Sequence, residues 1–201
     1  MTPADLAGLI RARAAGQDRL IVAIVGAPGA GKSSLAAELA AGLGQGAKVI
    51  PMDGFHFDDR VLAARGRLER KGAPDTYDFA GFINLLNRLR GGEDDIAIPV
   101  FDRSLEISRA GADIVSLGDR ILIVEGNYLL LDEDPWRRLD GLFDLTVAIE
   151  VPLDELVRRL QLRWASHGKS PEAARQWIES NDLPNIDRVV TGSRRADLTI
   201  A

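Results

Sequence analysis

Residues Gly26-Ala27-Pro28-Gly29-Ala30-Gly31-Lys32-Ser33 satisfy the pattern G-x-x-x-x-G-K-[ST] at every fixed position. An uninterrupted apolar run, Leu20 to Val25, leads into this loop, and a helical stretch, Lys32 to Leu43, leads out of it. Strand, glycine turn and helix in that order build a phosphate cradle. Backbone N–H groups converge on the oxygens, the helix dipole favours negative charge, and side chains would obstruct the approach. Lys32 is expected to reach the β and γ phosphates of a nucleotide and Ser33 to hold Mg²⁺, with Ser34 beside it in the first helical turn. ATP and Mg²⁺ are therefore the expected cofactors. The competing reading is a glycine-rich turn with a surface lysine.

A run that is apolar at every position reads as a strand buried on both faces, which calls for helices on both sides of a parallel sheet. The rest of the chain alternates accordingly. Thr2 as cap and Pro3 in the first turn predict a helix to about Ala15, and Phe79 to Leu89 and Leu153 to Trp164 read as further helices. Lys48 to Met52, Ile96 to Val100, Ile121 to Val124, Leu145 to Glu150 and Leu198 to Ile200 read as strands, and Arg60 to Lys71 as an irregular arginine-rich segment. The expected architecture is a three-layer α/β fold with a parallel sheet of about five strands and a helical lid, with ligands at the carboxyl ends of the strands. At 201 residues, 46% apolar and 27% charged, the chain suits one domain spanning 1–201. Absence of cysteine excludes thiolate metal sites and thiol catalysis, and no apolar run approaches the roughly 20 residues of a membrane span, so the cytoplasm is the expected compartment. The net charge of -5 gives no support to nucleic-acid binding.

The loop alone specifies nucleotide binding and leaves the reaction open. No N-K-x-D guanine-reading sequence occurs. The second strand ends in Pro51-Met52-Asp53-Gly54-Phe55-His56, and an aspartate at the carboxyl end of a strand beside the phosphate loop can orient a hydroxyl and take its proton. Asp53 is the candidate base, against a plain turn or cap aspartate ahead of Gly54. His56 reads as a substrate contact or a solvated loop residue. On the helix from Leu153, Arg159 and Arg163 lie four apart on one flank of an apolar stripe, where guanidiniums can close over phosphates or face solvent. Arg159 is preferred as catalytic and Arg163 as a nucleotide contact.

Three stretches, Asp53-Gly54-Phe55, Arg70-Lys71-Gly72-Ala73-Pro74-Asp75-Thr76-Tyr77-Asp78 and Pro99-Val100-Phe101-Asp102, resemble in order and spacing the uridine kinase, bacterial pantothenate kinase and phosphoribulokinase group. The similarity runs from the phosphate loop to the C-terminus and is nearest to short bacterial proteins labelled as fructose transport system or sugar kinases. It implies Asp53 as catalytic base and an acceptor pocket bordered by Lys71, Tyr77, Phe101 and the following Arg103. Phe101 stands where uridine kinases carry tyrosine. Val124-Glu125-Gly126 resembles the family's Phe-Glu-Gly, which implies Glu125 at a Mg²⁺ water or at the acceptor; a helix cap or ion pair is the alternative. Arg194-Arg195-Ala196-Asp197 is similar to a Lys-Tyr-Ala-Asp stretch that passes the adenine, which implies Arg195 at the base. Arg60, Arg65, Arg67, Arg70 and Lys71 either attract an anionic acceptor or coat a loop.

These readings converge on an ATP-dependent kinase moving the γ-phosphoryl group to a hydroxyl of a small molecule, a sugar in the fructokinase manner, with nucleoside or pantothenate as alternatives. The small acceptor is the expected partner, nucleic acid and membrane are not, and a homodimer is left open. The rival from another class is a regulatory nucleotide switch acting on a protein partner.

Overall fold

In β1 (Leu20–Gly26) every residue is buried, and successive side chains serve opposite layers. Leu20, Val22 and Ile24 pack with Leu6 and Ile10 of α1 (Pro3–Ala14) and Leu35 and Leu39 of α2 (Lys32–Leu43). Ile21, Ala23 and Val25 face a larger core with Phe82 and Leu86 of α4 (Phe79–Arg90), Tyr128 and Trp136. Each such buried aliphatic side chain contributes about 1.5–3 kcal/mol, so this strand anchors both layers. The computed structural model describes residues 1–201.

Five parallel strands form the central sheet in the order β2 (Ala47–Pro51), β5 (Ile121–Gly126), β1, β6 (Leu145–Ile149), β7 (Leu198–Ile200). Register brings the functional ends together: Glu125 of β5 lies between Ile24 of β1 and Pro51 of β2, two residues before Asp53. Thr2 caps α1 in a reciprocal box with Asp5, as its sequence requires.

Several elements depart from the sequence reading. Ile96 to Val100 does not enter the parallel sheet: β3 (Ile96–Asp102) pairs antiparallel with β4 (Ile107–Val115), forming a separate hairpin with a register shift between Ile98 and Val100. Met52 leaves the strand and opens a 3₁₀ turn, Met52–Phe55, that carries Asp53. Arg60 to Lys71 is ordered, with α3 (Asp59–Ala64) capped by Asp58 and a 3₁₀ turn, Leu68–Arg70. The predicted Leu153 helix extends to Ser166 as α5 (Leu153–Ser166), burying Leu156 and Leu160 and leaving Leu153 exposed. Beyond it, α6 (Pro171–Trp177) runs through a π turn, Ile178–Asp182, into α7 (Leu183–Gly192). No helix is long and apolar enough to cross a membrane.

Candidate active site

The carboxyl ends of β1, β2 and β5 open into a cleft of about 1450 Å³, larger than the few hundred to about 1,000 Å³ of a typical single-ligand pocket and so roomy enough for two reactants. At its floor, Gly29 and Gly31 take left-handed backbone, φ +83° and +95°. A Cβ on Gly29 would lie 3.3 Å from Leu160 Cγ and 3.4 Å from the Leu156 carbonyl oxygen, so glycine lets the loop press against α5. Lys32 is buried, and its ammonium donates to the Ala27 carbonyl at 3.0 Å. Burial lowers its pKa, while the carboxylates of Glu125 and Asp53 work the other way.

Ser33 Oγ donates to Glu125 Oε1 at 3.1 Å. Burial raises the Glu125 carboxyl, reinforced by the nearby charge of Asp53 and opposed by Lys32. One hydroxyl and one buried carboxylate side by side suit a cation that takes its other ligands from water and nucleotide phosphates, which is the habit of Mg²⁺. The buried lysine, the glycine loop and this oxygen pair all fit Mg²⁺-ATP.

Asp53 sits across from that pair. Arg103 donates to its Oδ2 at 2.6 Å, the Tyr77 hydroxyl to its Oδ1 at 3.5 Å, and His56 Nε2 lies 3.9 Å from Oδ1. Burial works to raise this carboxyl, but His56, Arg103 and Lys32 together hold it below the ordinary aspartate value. Burial pushes His56 itself down to about 4, so near neutrality the imidazole is uncharged and Arg103 with Lys32 keeps Asp53 ionised. The His56 ring stacks on Tyr77 with centroids 4.0 Å apart and leans on Phe101 at 5.1 Å. Tyr77 is raised well above its usual value by burial and then by Asp53, and stays a donor.

The lid is α5. Arg159 Nη1 lies 3.4 Å and 3.3 Å from the carbonyls of Gly29 and Ala30, and Nε donates to Glu155 at 2.7 Å. Arg163 also lines the cleft, its guanidinium 5.4 Å from the Trp164 ring centre. Arg158 pairs with Glu155 and is not part of the cleft wall.

Pro28, Gly29, Gly31, Lys32, Ser33, Ser34, Asp53, His56, Lys71, Tyr77, Phe101, Arg103, Glu125, Arg159 and Arg163 thus come together around one cleft. Gly26, Ala27 and Ala30 form the buried back of the loop. Arg195 is not brought in: it is exposed and outside the cleft, because Asp197 hooks the Thr146 backbone and hydroxyl and Arg194 donates to the Arg137 carbonyl, which fixes the chain on the sheet edge. The arginine-rich segment divides between the two readings: Arg60, its side chain 93% exposed, and Arg65 coat the surface, and Arg70 donates to the Ser180 carbonyl and Asn185 Oδ1 with no carboxylate partner, while others are paired. Arg67 pairs with Asp75, Arg60 with Asp58, Lys71 with Asp59, and Arg65 lies over Phe57.

Sequence reasoning missed Asn127, Trp177, Asn181, Asp182 and Asn185, all of which line the cleft. The last three are buried polar residues on a stripe otherwise apolar at Ile178, Ile186 and Val189, and polar side chains at core positions are the signal that marks them. Asn181 Nδ2 donates to the Lys71 carbonyl at 2.8 Å and Asp182 accepts from the Trp164 indole at 2.7 Å.

A family model described as the Phosphoribulokinase / Uridine kinase family matches residues 21–201. The chain belongs to this family. It is a P-loop kinase by fold and by lineage. The uncharacterised protein YggC of Escherichia coli K12 is 32% identical over 194 residues, covering 92% of this chain and 78% of that relative. A Schizosaccharomyces pombe protein provisionally named uridine kinase is 30% identical over 196 residues, covering 92% and 83%. Among solved structures, a Silicibacter sp. TM1040 protein provisionally named fructose transport system kinase superposes with a TM-score of 0.94 at 43% identity over 100% of both chains. Saccharomyces cerevisiae YFH7 matches with a TM-score of 0.88 at 18% identity over 100% and 99%, a likeness of fold alone.

Proposed function

We propose that this family member is a single-domain cytoplasmic kinase that transfers the γ-phosphoryl group of ATP to a hydroxyl of a small molecule, a sugar in the first instance. The observation that carries the reading is Asp53, held by Arg103 at 2.6 Å, lining one cleft with Lys32 and the Ser33–Glu125 pair. Asp53 orients the acceptor hydroxyl and takes its proton as the bond to phosphorus forms, while the bond from the γ-phosphorus to the bridging oxygen breaks and ADP leaves. Lys32 and the loop N–H groups hold the β and γ oxygens, and Arg159 and Arg163 balance charge spread over the transferring group. Ser33 and Glu125 would hold Mg²⁺, which would offset the negative charge of the phosphates.

The acceptor has rivals: the S. pombe relative is named for uridine, and an Enterococcus faecalis relative, 33% identical over 137 residues, is named pantothenate kinase. The test is ATP consumption against sugars, nucleosides and pantothenate, with product identified by mass. A sugar phosphate is the expected product; hydrolysis that none of these stimulates but a protein does would favour the switch reading.

A further inference from the structure

The two ends of the cleft differ in how their cations are used. Around the phosphate loop Arg159 pairs with Glu155 at 2.7 Å, but Lys32 bonds only a carbonyl and Arg163 has no carboxylate within salt-bridge reach. Lys169, the other cleft cation without a carboxylate partner, lies in the turn after α5 over the rings of Trp164 and Trp177, at 5.3 and 4.9 Å, and so belongs to the lid. Around Asp53 the balance is opposite. That end carries two lining cations, Lys71 and Arg103, against the carboxylates of Asp53, Asp59, Glu69, Glu106 and Asp182; Arg70, behind Asn185, does not line the cleft and is taken up by the Ser180 carbonyl and Asn185 Oδ1.

Both cations there are consumed. Arg103 is held by Asp53 at 2.6 Å. Lys71 has only 13% of its side chain exposed; its ammonium donates to Asp59 at 2.7 Å and to the Glu106 carbonyl at 2.9 Å, with the Glu106 carboxylate 3.6 Å away. Glu106 takes left-handed backbone, φ 56°, in the β3–β4 turn, and both its carbonyl and its carboxylate face Lys71. His56 adds no positive charge near neutrality. Besides these charged groups, this end offers only neutral ones: the Tyr77 hydroxyl and the amides of Asn127, Asn181 and Asn185. Phosphate and carboxylate ligands need unpaired guanidinium, ammonium or backbone N–H donors, and like charges facing each other across a site are strongly unfavourable.

We propose that the acceptor is an uncharged polyhydroxyl compound, and that the site rejects phosphorylated and carboxylated acceptors because Asp59 and Glu106 take up Lys71 while Asp53 takes up Arg103. This rests on the kinase reading above and narrows it. Asp59 and Glu106 are specificity-determining residues: they act by denying a cation to the wrong ligand. Pantothenate and sugar phosphates fall outside the accepted class, whereas free sugars and nucleosides fall within it.

The test does not need the acceptor's identity. The protein is first saturated with Mg²⁺ and a non-hydrolysable ATP analogue, followed by calorimetry; failure of this step would defeat the kinase reading itself. The loaded protein is then titrated with inorganic phosphate and with ribose 5-phosphate. The parent should show no saturable binding up to about 10 mM, and the folded Asp59→Asn/Glu106→Gln double variant should bind both anions at least about tenfold more tightly. Adding Lys71→Met should abolish that gain. Sub-millimolar anion binding by the loaded parent, or a folded double variant with no gain, would overturn the proposal.

Discussion

Replacing Asp53 by asparagine isolates the charge of one carboxylate from its shape. The amide oxygen can still accept from Arg103, and the lost ion pair involves an arginine whose side chain is 44% exposed, so stability should change by no more than about 1 kcal/mol. Transfer should fall further. General-base contributions run from about 10² to 10⁴-fold, but a carboxyl held below its ordinary value is a weak base, and loose phosphoryl transfer draws little on a base. Most of the loss then comes from a hydroxyl no longer oriented by a charged acceptor, which puts the expected decrease near the lower figure, about 10²-fold in kcat. ATP affinity should hold, since Lys32, Ser33 and the loop backbone set it. The assay is calorimetric ATP affinity beside steady-state transfer to the acceptor found by the screen. Unchanged transfer, or equal losses of affinity and transfer, would refute Asp53 at the acceptor.

Arg159→Ala should lower kcat by about 10³-fold, as loss of a transition-state arginine does, while Arg163→Ala, seated on Trp164, should mainly raise KM for ATP; if neither moves kcat or KM, α5 is not a lid. Gly54→Ala would put a Cβ 2.4 Å from the Pro99 carbonyl oxygen, so the β3 hairpin must shift at a cost of about 1–3 kcal/mol, read by urea unfolding; an unchanged midpoint would contradict that packing. Burial pushes the Asp182 carboxyl up to about 6, so between the unfolded value of 3.8 and that value the folded state holds a proton the unfolded chain lacks, and stability from this group is lost as pH rises through the window. Asp182→Asn should therefore gain about 1–3 kcal/mol over the parent at pH 7.5 and nothing near pH 4, by urea unfolding at both; equal differences at both pH values would refute the shift.

What the sequence disclosed was what a local window can hold. β1, the loop and α2 are contiguous, and each carries its own signal: a run apolar on both faces, glycines where backbone must turn left-handed, a lysine at the first helical position. Asp53 and Glu125 were legible because strand ends in a parallel sheet share one edge, and the register sets Glu125 beside Pro51. The β3–β4 hairpin was not. Ile96 to Val100 has the composition of a buried parallel strand, and its partner Ile107–Val115 is mostly exposed, with no apolar alternation to announce it. Arg60 to Lys71 misled in another way, since charge runs look solvated until their partners, such as Asp75 eight residues from Arg67, are folded against them.

The segment from Ser170 to Gly192 shows why the remaining part of the site needed a structure. Ser170-Pro171 is a readable helix start, and Ser170 does cap α6. Nothing local says that the helix widens into a π turn at Ile178–Asp182, an irregularity common at functional sites. There, adjacent residues go to different partners: Asn181 to the carbonyl of Lys71, on the acceptor side, and Asp182 to the indole of Trp164, on the lid helix. Those partners lie 110 and 18 residues away in the chain. A single turn therefore fixes both the residue whose charge Asp59 and Glu106 neutralise and the helix whose arginines line the cleft, so these two walls cannot shift independently without breaking one of two partly buried hydrogen bonds. Polar residues at positions where an amphipathic helix should be apolar, 181, 182 and 185, are what such a double tether costs in sequence terms.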